Sequence, residues 1–297
     1  MKADVTKINI GALLSELAGK VDQSIREYCD RFLSGPPQLV QAMRYSLEAG
    51  GKRIRPVLVL LSSDLYGGQM ETAMFPAAAI EMVHTFSLIH DDLPAMDNDD
   101  FRRGRPTCHK AFGEAMAILA GDGLLAFAFE LIAKHFPGPA DQAAALVKEL
   151  AEATGPAGMT GGQVLDMTFD RQDGLATVEE IHRLKTAALI RCACRLGAIS
   201  AGATNLDSVS DYGQKIGLAF QLIDDYLDQT STQTELGKKT GKDADANKPN
   251  YAVLSGTAAA RQRAEELIEQ AREALKSFGP TARPLIELAQ MVLTRKS

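Results

Sequence analysis

The segment at residues 80–97 reads IEMVHTFSLIHDDLPAMD, and its pattern decides the fold class. Apolar residues recur every three or four positions, as at Ile80, Val83 and Leu88, which is the spacing of one face of an α-helix. The apolar stretch ends in a group of carboxylates at Asp91, Asp92 and Asp97. The segment therefore predicts a long helix whose end presents several acidic side chains together.

The same helical periodicity continues along almost the whole chain. Alternating β-branched runs are absent, and Ala-rich stretches such as DQAAALVKEL favour helix. Glycine and proline breaks, which predict roughly ten or more helices, fall at Gly35-Pro36-Pro37, Gly67-Gly68, Pro137-Gly138-Pro139, Gly155-Pro156, Gly174, Gly202 and Gly279-Pro280. No long linker divides the chain, so the sequence predicts a single all-α domain over residues 1–297.

The composition excludes several classes of protein. A chain of 297 residues that is 45% hydrophobic can bury a large core, and a net charge of -6 argues against a general nucleic-acid binder. The N-terminus lacks the apolar run of a signal peptide, and no apolar stretch of about 18 residues is free of charges. We therefore expect a soluble, cytoplasmic protein without a stable membrane anchor. The scattered cysteines are expected to be free thiols: Cys29, Cys108, Cys192 and Cys194.

A second acidic cluster ends the apolar segment IGLAFQLIDDYLD at residues 216–228. Asp224 and Asp228 are four residues apart and therefore share a helix face, to which Gln221 also belongs. The adjacent Asp225 adds a further carboxylate. One such motif is usually a solvated acidic helix end, but the apolar flanks indicate that these acids emerge from a buried helix.

The first cluster has two properties that a solvated acidic loop does not require. Pro94 disfavours helix at the preceding residue, so we expect a distorted turn that brings Asp97 back towards Asp91. Arg102 and Arg103 follow closely and could bind polyanions through their guanidinium groups. Buried carboxylates repel one another unless a cation holds them. Two clusters that face each other across a cavity would hold Mg²⁺ and, through it, a phosphate-rich ligand.

A candidate anion site precedes the first cluster in the sequence. The stretch GGKRIRP at residues 50–56 combines glycines, the cations Lys52 and Arg55 and a predicted helix start. A basic helix cap is common, so this pattern alone indicates only a possible anion cradle. His84 lies seven residues before Asp91, two helical turns back on the same face.

Taken together, these segments resemble the short-chain trans-polyprenyl diphosphate synthases, and most closely the bacterial farnesyl diphosphate synthase type. The resemblance covers nearly the whole chain in the order GGKRIRP, HTFSLIHDDLPAMDNDDFRRGRPT, GQVLD, LKT, FQLIDDYLD and the lysine-containing loop after it. It implies an all-α type I isoprenoid synthase fold, a single bundle of helices around a central cavity, and a homodimer. It also implies an enzyme that condenses isopentenyl diphosphate with an allylic diphosphate.

The resemblance also assigns roles to individual residues. Three Mg²⁺ ions per active site would be held by Asp91, Asp92, Asp97, Asp224, Asp225 and Asp228. The allylic diphosphate would contact Arg102, Lys185, Thr186, Gln221, Lys238 and Lys248, of which Lys185, Thr186 and Gln221 are the catalytic candidates. Isopentenyl diphosphate would be bound by Lys52, Arg55, His84 and Arg103. In such enzymes the released diphosphate is the favoured base, which fits a sequence without a conspicuous general base.

Product length is assigned from the residues just before the first cluster. Phe86 is five residues before Asp91, roughly 7–8 Å along a helix axis, and Ser87 follows it. A bulky ring at this position resembles the pattern of synthases that stop at the C15 product, farnesyl diphosphate. As a plain core aromatic, Phe86 would carry no such information.

Three alternatives remain open at the level of the sequence. A geranylgeranyl diphosphate synthase would use the same chemistry and make a C20 product. A terpene cyclase would share the fold but need only one diphosphate site, whereas Lys52, Arg55 and Arg103 argue for two. A non-catalytic helical partner would be expected to have lost some of its aspartates, and here every motif is intact.

Overall fold

The computed structural model describes residues 9–230 and 249–295. Lys238 and Lys248, both predicted to contact the allylic diphosphate, lie outside the described residues. The chain forms two compact units. The first takes in Met1–Val147 and Ile199–Gly202, and the second takes in Lys148–Ala198 and Ala203–Ser297. That the whole chain is one domain stays a prediction.

The first unit is built from helices, and three of the connections between them fall at predicted breaks. The helices are α1 (Ile10–Phe32), α2 (Pro37–Leu47), α3 (Ile54–Leu65), α4 (Met70–Asp91), α5 (Cys108–Phe112), α6 (Glu114–His135) and the start of α7 (Ala140–Thr154). Asn9 caps α1 by accepting a hydrogen bond from the Ala12 N–H at 3.1 Å, and Pro37 occupies the first turn of α2. Local capping and turn chemistry thus agree with the hydrophobic pattern.

Helices α3 and α4 form the core of the first unit. Val57, Leu58 and Val59 of α3 and Ile80 and Met82 of α4 are completely buried. Among the described residues, α4 and α6 are long and apolar enough to cross a membrane by length and composition alone. In the most apolar 18-residue stretch of α4, 67% of the residues are buried within the protein, as expected of a core helix.

A short β-hairpin interrupts the helices of the first unit, and the sequence reasoning missed it. Strand β1 (Phe101–Arg102) pairs antiparallel with β2 (Arg105–Pro106). The two turn residues, Arg103 and Gly104, have φ angles of 52° and 73°, the positive values that a tight two-residue hairpin turn requires. The glycine at position 104 was the one indication of a turn in the sequence. Strands of two residues are too short to show the alternating pattern that predicts a strand.

The second unit contains the other described helices, which pack mainly around the longest of them. These are the end of α7, α8 (Met159–Thr168), α9 (Gly174–Ile181), α10 (Ala188–Ser200, to residue 198), α11 (Asp207–Thr230), α12 (Tyr251–Ser255), α13 (Thr257–Ala274) and α14 (Arg283–Thr294). A π-helical segment, His182–Ala187, joins α9 to α10, and a 3₁₀ segment, Lys276–Ala282, precedes α14. Helix α11 packs against α13 and against the π-helical segment.

The all-α prediction is confirmed: within residues 9–230 and 249–295 the chain forms more than ten helices, and the small hairpin is the only β-structure. The predicted breaks also coincide with helix boundaries, for example Gly67 with a φ of 72° between α3 and α4. All four cysteines are buried free thiols.

Candidate active site

The first aspartate cluster lies in the turn that follows α4. Leu93, Met96 and Asn98 form successive turn hydrogen bonds, and the Asp97 N–H donates to the Asp91 carbonyl at 2.8 Å. This geometry confirms that the chain folds back after Pro94 and brings Asp97 next to Asp91. The Asp91 side chain is half-buried and that of Asp97 is exposed.

Asp92 faces a different partner from the other two carboxylates. It is 3% exposed, and Arg102 grips it through Nε at 2.8 and 2.9 Å and through a terminal nitrogen at 2.6 Å. Burial raises the pKa of Asp92, an effect that the Arg102 guanidinium opposes. The hairpin holds Arg102 at this position, so the ion pair of Asp92 and Arg102 joins the first aspartate cluster to β1. Arg102, a predicted diphosphate contact, therefore also positions a predicted metal ligand.

The predicted anion cradle assembles in the first unit. Arg55 at the start of α3 has a terminal nitrogen 3.4 Å from Nε2 of His84 on α4. Arg103 at the hairpin turn donates a hydrogen bond to the Gly50 carbonyl. A Cβ at Gly51 would lie 2.7 Å from Cζ of Arg103, so only glycine leaves room for the guanidinium there. Lys52 is exposed next to this glycine.

Electrostatics show that this cluster has an excess of positive charge. Burial lowers the pKa of Arg55, an effect that Glu81 opposes and that the nearby Arg103 reinforces. Burial and the charges of Arg55, Arg103 and Arg102 hold the pKa of His84 well below its usual value. A bound polyanion would therefore stabilise the charged forms of Arg55, His84 and Arg103, which otherwise repel one another.

One cation of the GGKRIRP stretch has a structural role. Arg53 is buried, with a φ of 50°, and it binds Glu81 at 2.5 Å, Asp22 at 2.8 Å and the Leu47 carbonyl at 2.7 Å. The sequence reasoning left Arg53 out of the site, and its partners explain why it belongs to the core.

The two predicted chain-length residues lie on α4 before the first cluster. Phe86 is half-buried, and its ring meets that of His90 edge-on with centroids 4.9 Å apart. The Ser87 hydroxyl donates to the His84 carbonyl at 2.9 Å. His90 was not singled out from the sequence.

In the second unit, three predicted residues form one hydrogen-bonded chain. The Thr186 hydroxyl donates to Oε1 of Gln221 at 2.9 Å, and Nε2 of Gln221 donates to Asp224 at 3.0 Å. The amide orientation of Gln221 is therefore fixed at both ends. The arrangement joins the π-helical segment to α11.

Asp224 also binds a residue to which no role was assigned from the sequence. Arg295, just after α14, donates to Oδ1 of Asp224 at 2.6 Å and to the Phe220 carbonyl at 2.7 Å. Its guanidinium carbon lies 3.8 Å from the centre of the Phe220 ring. Asp224 thus already holds one cation, supplied by the protein's own C-terminal region.

Asp225 and Asp228 have different surroundings. Asp225 is buried, accepts a hydrogen bond from the Tyr251 N–H at 2.6 Å and lies 3.4 Å from Nε2 of His182. Burial and Lys185 lower the pKa of His182 to about 4. Asp228 is half-buried, and Gln229 donates to it at 3.2 Å. In the described residues Asp225 therefore anchors α12 to α11.

Lys185 is positioned by the irregular helix that carries it. Its ammonium group lies 2.6 Å from Asp166 of α8, the last residue of the GQVLD motif. A Cβ at Gly162 would lie 2.6 Å from the Lys185 Cα, so this glycine permits close packing of α8 on the π-helical segment. Single π-helical turns are frequent at functional sites, and this one displays Lys185 and Thr186 in succession.

The donor atoms available here fit Mg²⁺. Within residues 9–230 and 249–295, no group of three or more His, Cys, Asp or Glu side chains converges as a metal site. Mg²⁺ rarely needs such a cage, because proteins usually hold it through one or two carboxylates together with water and substrate phosphate oxygens. Asp91 and Asp97, whose backbones are hydrogen-bonded in the turn after α4, supply two carboxylates that meet that requirement.

Comparison with known proteins identifies the family. A sequence profile of the family described as polyprenyl synthetase matches residues 36–279. The chain belongs to the polyprenyl synthetase family. It is a prenyltransferase of the type I isoprenoid synthase fold.

Individual relatives of this prenyltransferase differ in their named activities. It is 49% identical over 88% of its length to a dimethylallyltranstransferase of Fischerella ambigua (strain UTEX 1903), 77% of which is covered. It is 44% identical to a geranylgeranyl diphosphate synthase of Cyanophora paradoxa over the full length of both chains. The crystal structure of an FPP/GFPP synthase from Zymomonas mobilis superimposes with a TM-score of 0.83 at 36% identity, covering 96% of this chain and 99% of the other.

Proposed function

We propose that this prenyltransferase is a Mg²⁺-dependent prenyl diphosphate synthase that condenses isopentenyl diphosphate with an allylic diphosphate. The observation that carries the proposal is the cationic cluster of Arg55, His84 and Arg103 beside Lys52. Glu81 is the carboxylate that acts on the charge of Arg55, and its side chain is already bound by Arg53. This cluster is a diphosphate site distinct from the aspartates, and a terpene cyclase would not need it.

The aspartates would serve the other substrate. Asp91 and Asp97 in the first unit and Asp224 in the second would hold Mg²⁺, with Asp92 kept in place by Arg102. Bound Mg²⁺ would supply Lewis-acid stabilisation of the allylic diphosphate as it leaves. Lys185 and Arg102, with Lys238 and Lys248, would add positive charge around the same leaving group.

The chain's own residues account for the remaining steps. As the allylic C–O bond breaks, the electron pair leaves with the diphosphate and a carbocation remains. The Thr186 and Gln221 oxygens, fixed by their mutual hydrogen bond, would stabilise this cation. The double bond of isopentenyl diphosphate then attacks, forming the new C–C bond. The departed diphosphate takes the proton that is lost as the new double bond forms.

Farnesyl diphosphate is the product that Phe86 supports. A phenyl ring one and a half helical turns before Asp91 would block a tail longer than C15. Geranylgeranyl diphosphate is the second candidate, and the relatives favour it because several of them, including the one from Cyanophora paradoxa, are named geranylgeranyl diphosphate synthases. A homodimer in the cytoplasm completes the proposal, although relatives from plants are named chloroplastic.

One experiment tests the reaction and its product together. The purified protein is incubated with Mg²⁺, labelled isopentenyl diphosphate and either dimethylallyl or geranyl diphosphate, and the products are separated by chain length after dephosphorylation. We expect a C15 product that disappears when isopentenyl diphosphate is omitted. A C20 main product would replace the farnesyl assignment, and no condensation with either starter would overturn the proposed function.

The residue assignments have their own test. Phe86→Ala is expected to lengthen the product, whereas Asp91→Ala and Asp224→Ala are expected to abolish condensation without unfolding the protein. An unchanged product from Phe86→Ala would remove Phe86 from the assignment and leave the reaction untouched.

A further inference from the structure

We propose that Gly121 of α6 and His90 of α4 form a seat that fixes the Phe86 ring and thereby controls product length. This inference rests on the proposed function, in which Phe86 limits the tail. It extends the control of chain length to two positioning residues that contact the limiting ring directly or through one neighbour.

The first observation is how tightly His90 is held. Its Nε2 lies 3.1 Å from the Ile118 carbonyl of α6, and only an Nε2–H can donate to that oxygen. The same nitrogen lies 3.8 Å from a carboxylate oxygen of Asp122. The His90 side chain is 26% exposed, so α6 limits both its position and its rotation.

The second observation is the contact between His90 and Phe86. The two residues are four apart on α4 and therefore neighbours on one helix face. Their rings meet at an interplanar angle of 74° with centroids 4.9 Å apart. Edge-to-face ring pairs of this kind are favourable beyond the burial of the two rings. A fixed imidazole therefore holds the Phe86 ring in one orientation.

The third observation is a glycine that the helix itself does not need. Gly121 lies in the interior of α6, where glycine stabilises a helix less than alanine does. A Cβ at this position would overlap the imidazole of His90, lying within 2.6 Å of its Cδ2. The missing side chain makes the space in which His90 sits, and a methyl group there would displace the imidazole.

Gly123 offers a matched control on the same helix. A Cβ at Gly123 would lie 2.9 Å from the sulfur of Met43, the end region of a flexible side chain. Gly123→Ala therefore adds the same methyl group to α6, with a similar local crowding, but it does not touch His90 or Phe86.

The experiment measures the product-length distribution of the Mg²⁺-supplied enzyme with each allylic starter. Gly121→Ala and His90→Ala are expected to shift the main product by at least one five-carbon unit towards longer chains, because Phe86 loses its fixed partner. Gly123→Ala is expected to match the wild type. In the Phe86→Ala background, Gly121→Ala should have no further effect, since the ring through which it acts is gone.

The outcomes separate this inference from the proposed function. A wild type that does not condense the substrates contradicts the proposed function. A Phe86→Ala variant with an unchanged product contradicts the role of Phe86 in limiting product length. If Phe86→Ala lengthens the product while Gly121→Ala and His90→Ala do not, the seat is wrong. Should Gly121→Ala fold poorly, His90→Ala/Gly121→Ala provides room for the methyl group and is expected to give the product of His90→Ala.

Discussion

Arg53 shows that a cation within a binding motif can stabilise the core and take no part in the site. It stands between two cations assigned to a diphosphate, yet its guanidinium is fully buried against Glu81 and Asp22. Its position in the left-handed region costs about 1–2 kcal/mol for a residue with a side chain. Three hydrogen-bond partners on other segments offset that strain, so Arg53 fixes the start of α3 and with it the direction of Arg55.

We therefore expect Arg53→Met to destabilise the protein by about 3–5 kcal/mol, because the buried Glu81 carboxylate would lose its ion-pair partner. Arg53→Met/Glu81→Leu should recover much of this loss. The measurement is the chemical denaturation midpoint. The exposed pair of Arg183 and Glu180 supplies the control, since Arg183→Ala should cost less than about 1 kcal/mol. A similar loss in both single variants would contradict the role given to burial.

Arg295 leads to a second prediction at the same scale. Its guanidinium binds the Asp224 oxygen that a metal ion would share, so it competes with the ion through like charge. We expect Arg295→Gln to lower the Mg²⁺ concentration needed for half-maximal activity several-fold. Mn²⁺ binding followed by electron paramagnetic resonance should strengthen in parallel.

The control for Arg295 lies on α13. Arg261 also sits near an aromatic ring, that of Tyr226, and also bonds a backbone carbonyl, that of Leu293. Arg261→Gln removes a comparable positive charge without touching Asp224 and should leave the metal dependence unchanged. Weaker Mn²⁺ binding in Arg295→Gln would show that the arginine helps to build the site.

At the scale of elements, the start of α3 and the face of α4 create the charge pattern of the first unit. His84 has its pKa lowered by burial and by Arg55, Arg103, Arg102 and Arg53. The unfolded chain therefore takes up a proton near the ordinary histidine pKa of about 6.5 while the folded protein does not. Because the unfolded state binds more protons in this window, stability falls as the pH drops below about 6.5.

His84→Gln should remove this part of the acid sensitivity. Between about pH 6.5 and 5.5, the wild type is expected to lose stability faster than His84→Gln, by at most about 1.4 kcal/mol per pH unit. Denaturation midpoints at several pH values provide the measurement. Equal slopes for the two proteins would mean that His84 is protonated as readily in the folded as in the unfolded state.

The sequence predicted elements best where one local rule decides them. Helix ends at Gly67 and Gly202 follow from backbone freedom, and the turn after Pro94 follows from steric exclusion of helix at Leu93. The hairpin and the π-helical segment were not predicted, because each depends on tertiary packing: Arg102 on Asp92, and Lys185 on Gly162.

The same distinction applies to the site. The aspartates and cations were found because their residue types and spacing carry the chemistry. Partners that are distant in sequence were missed, because no local sequence pattern predicts such contacts. Arg295 contacts Asp224, 71 residues away, and His90 contacts Ile118, 28 residues away. Contacts of this kind come from the packing of helices and become visible only in three dimensions.

At the scale of the whole molecule, the uncovered surface of α6 bears on assembly. In its most apolar 18-residue stretch 44% of the residues are buried, against 67% in that of α4. Ile118 and Leu119 are 44% and 54% exposed. Exposed apolar patches of this kind mark association surfaces in soluble proteins. The homodimer expected from the resemblance would cover this face, and two identical patches can pair about a two-fold axis.

Leu119→Asp should therefore convert the dimer to a monomer, because it places a carboxylate where the partner's apolar side chains would pack. Met70→Asp is the control: it adds the same charge at another exposed apolar position, 38% exposed in the first turn of α4, where an acid suits the helix dipole. Sedimentation velocity at several concentrations gives the molar mass. A dimer that persists in Leu119→Asp would mean that another face of the protein mediates association, whereas a wild-type monomer would remove the homodimer from the proposed function.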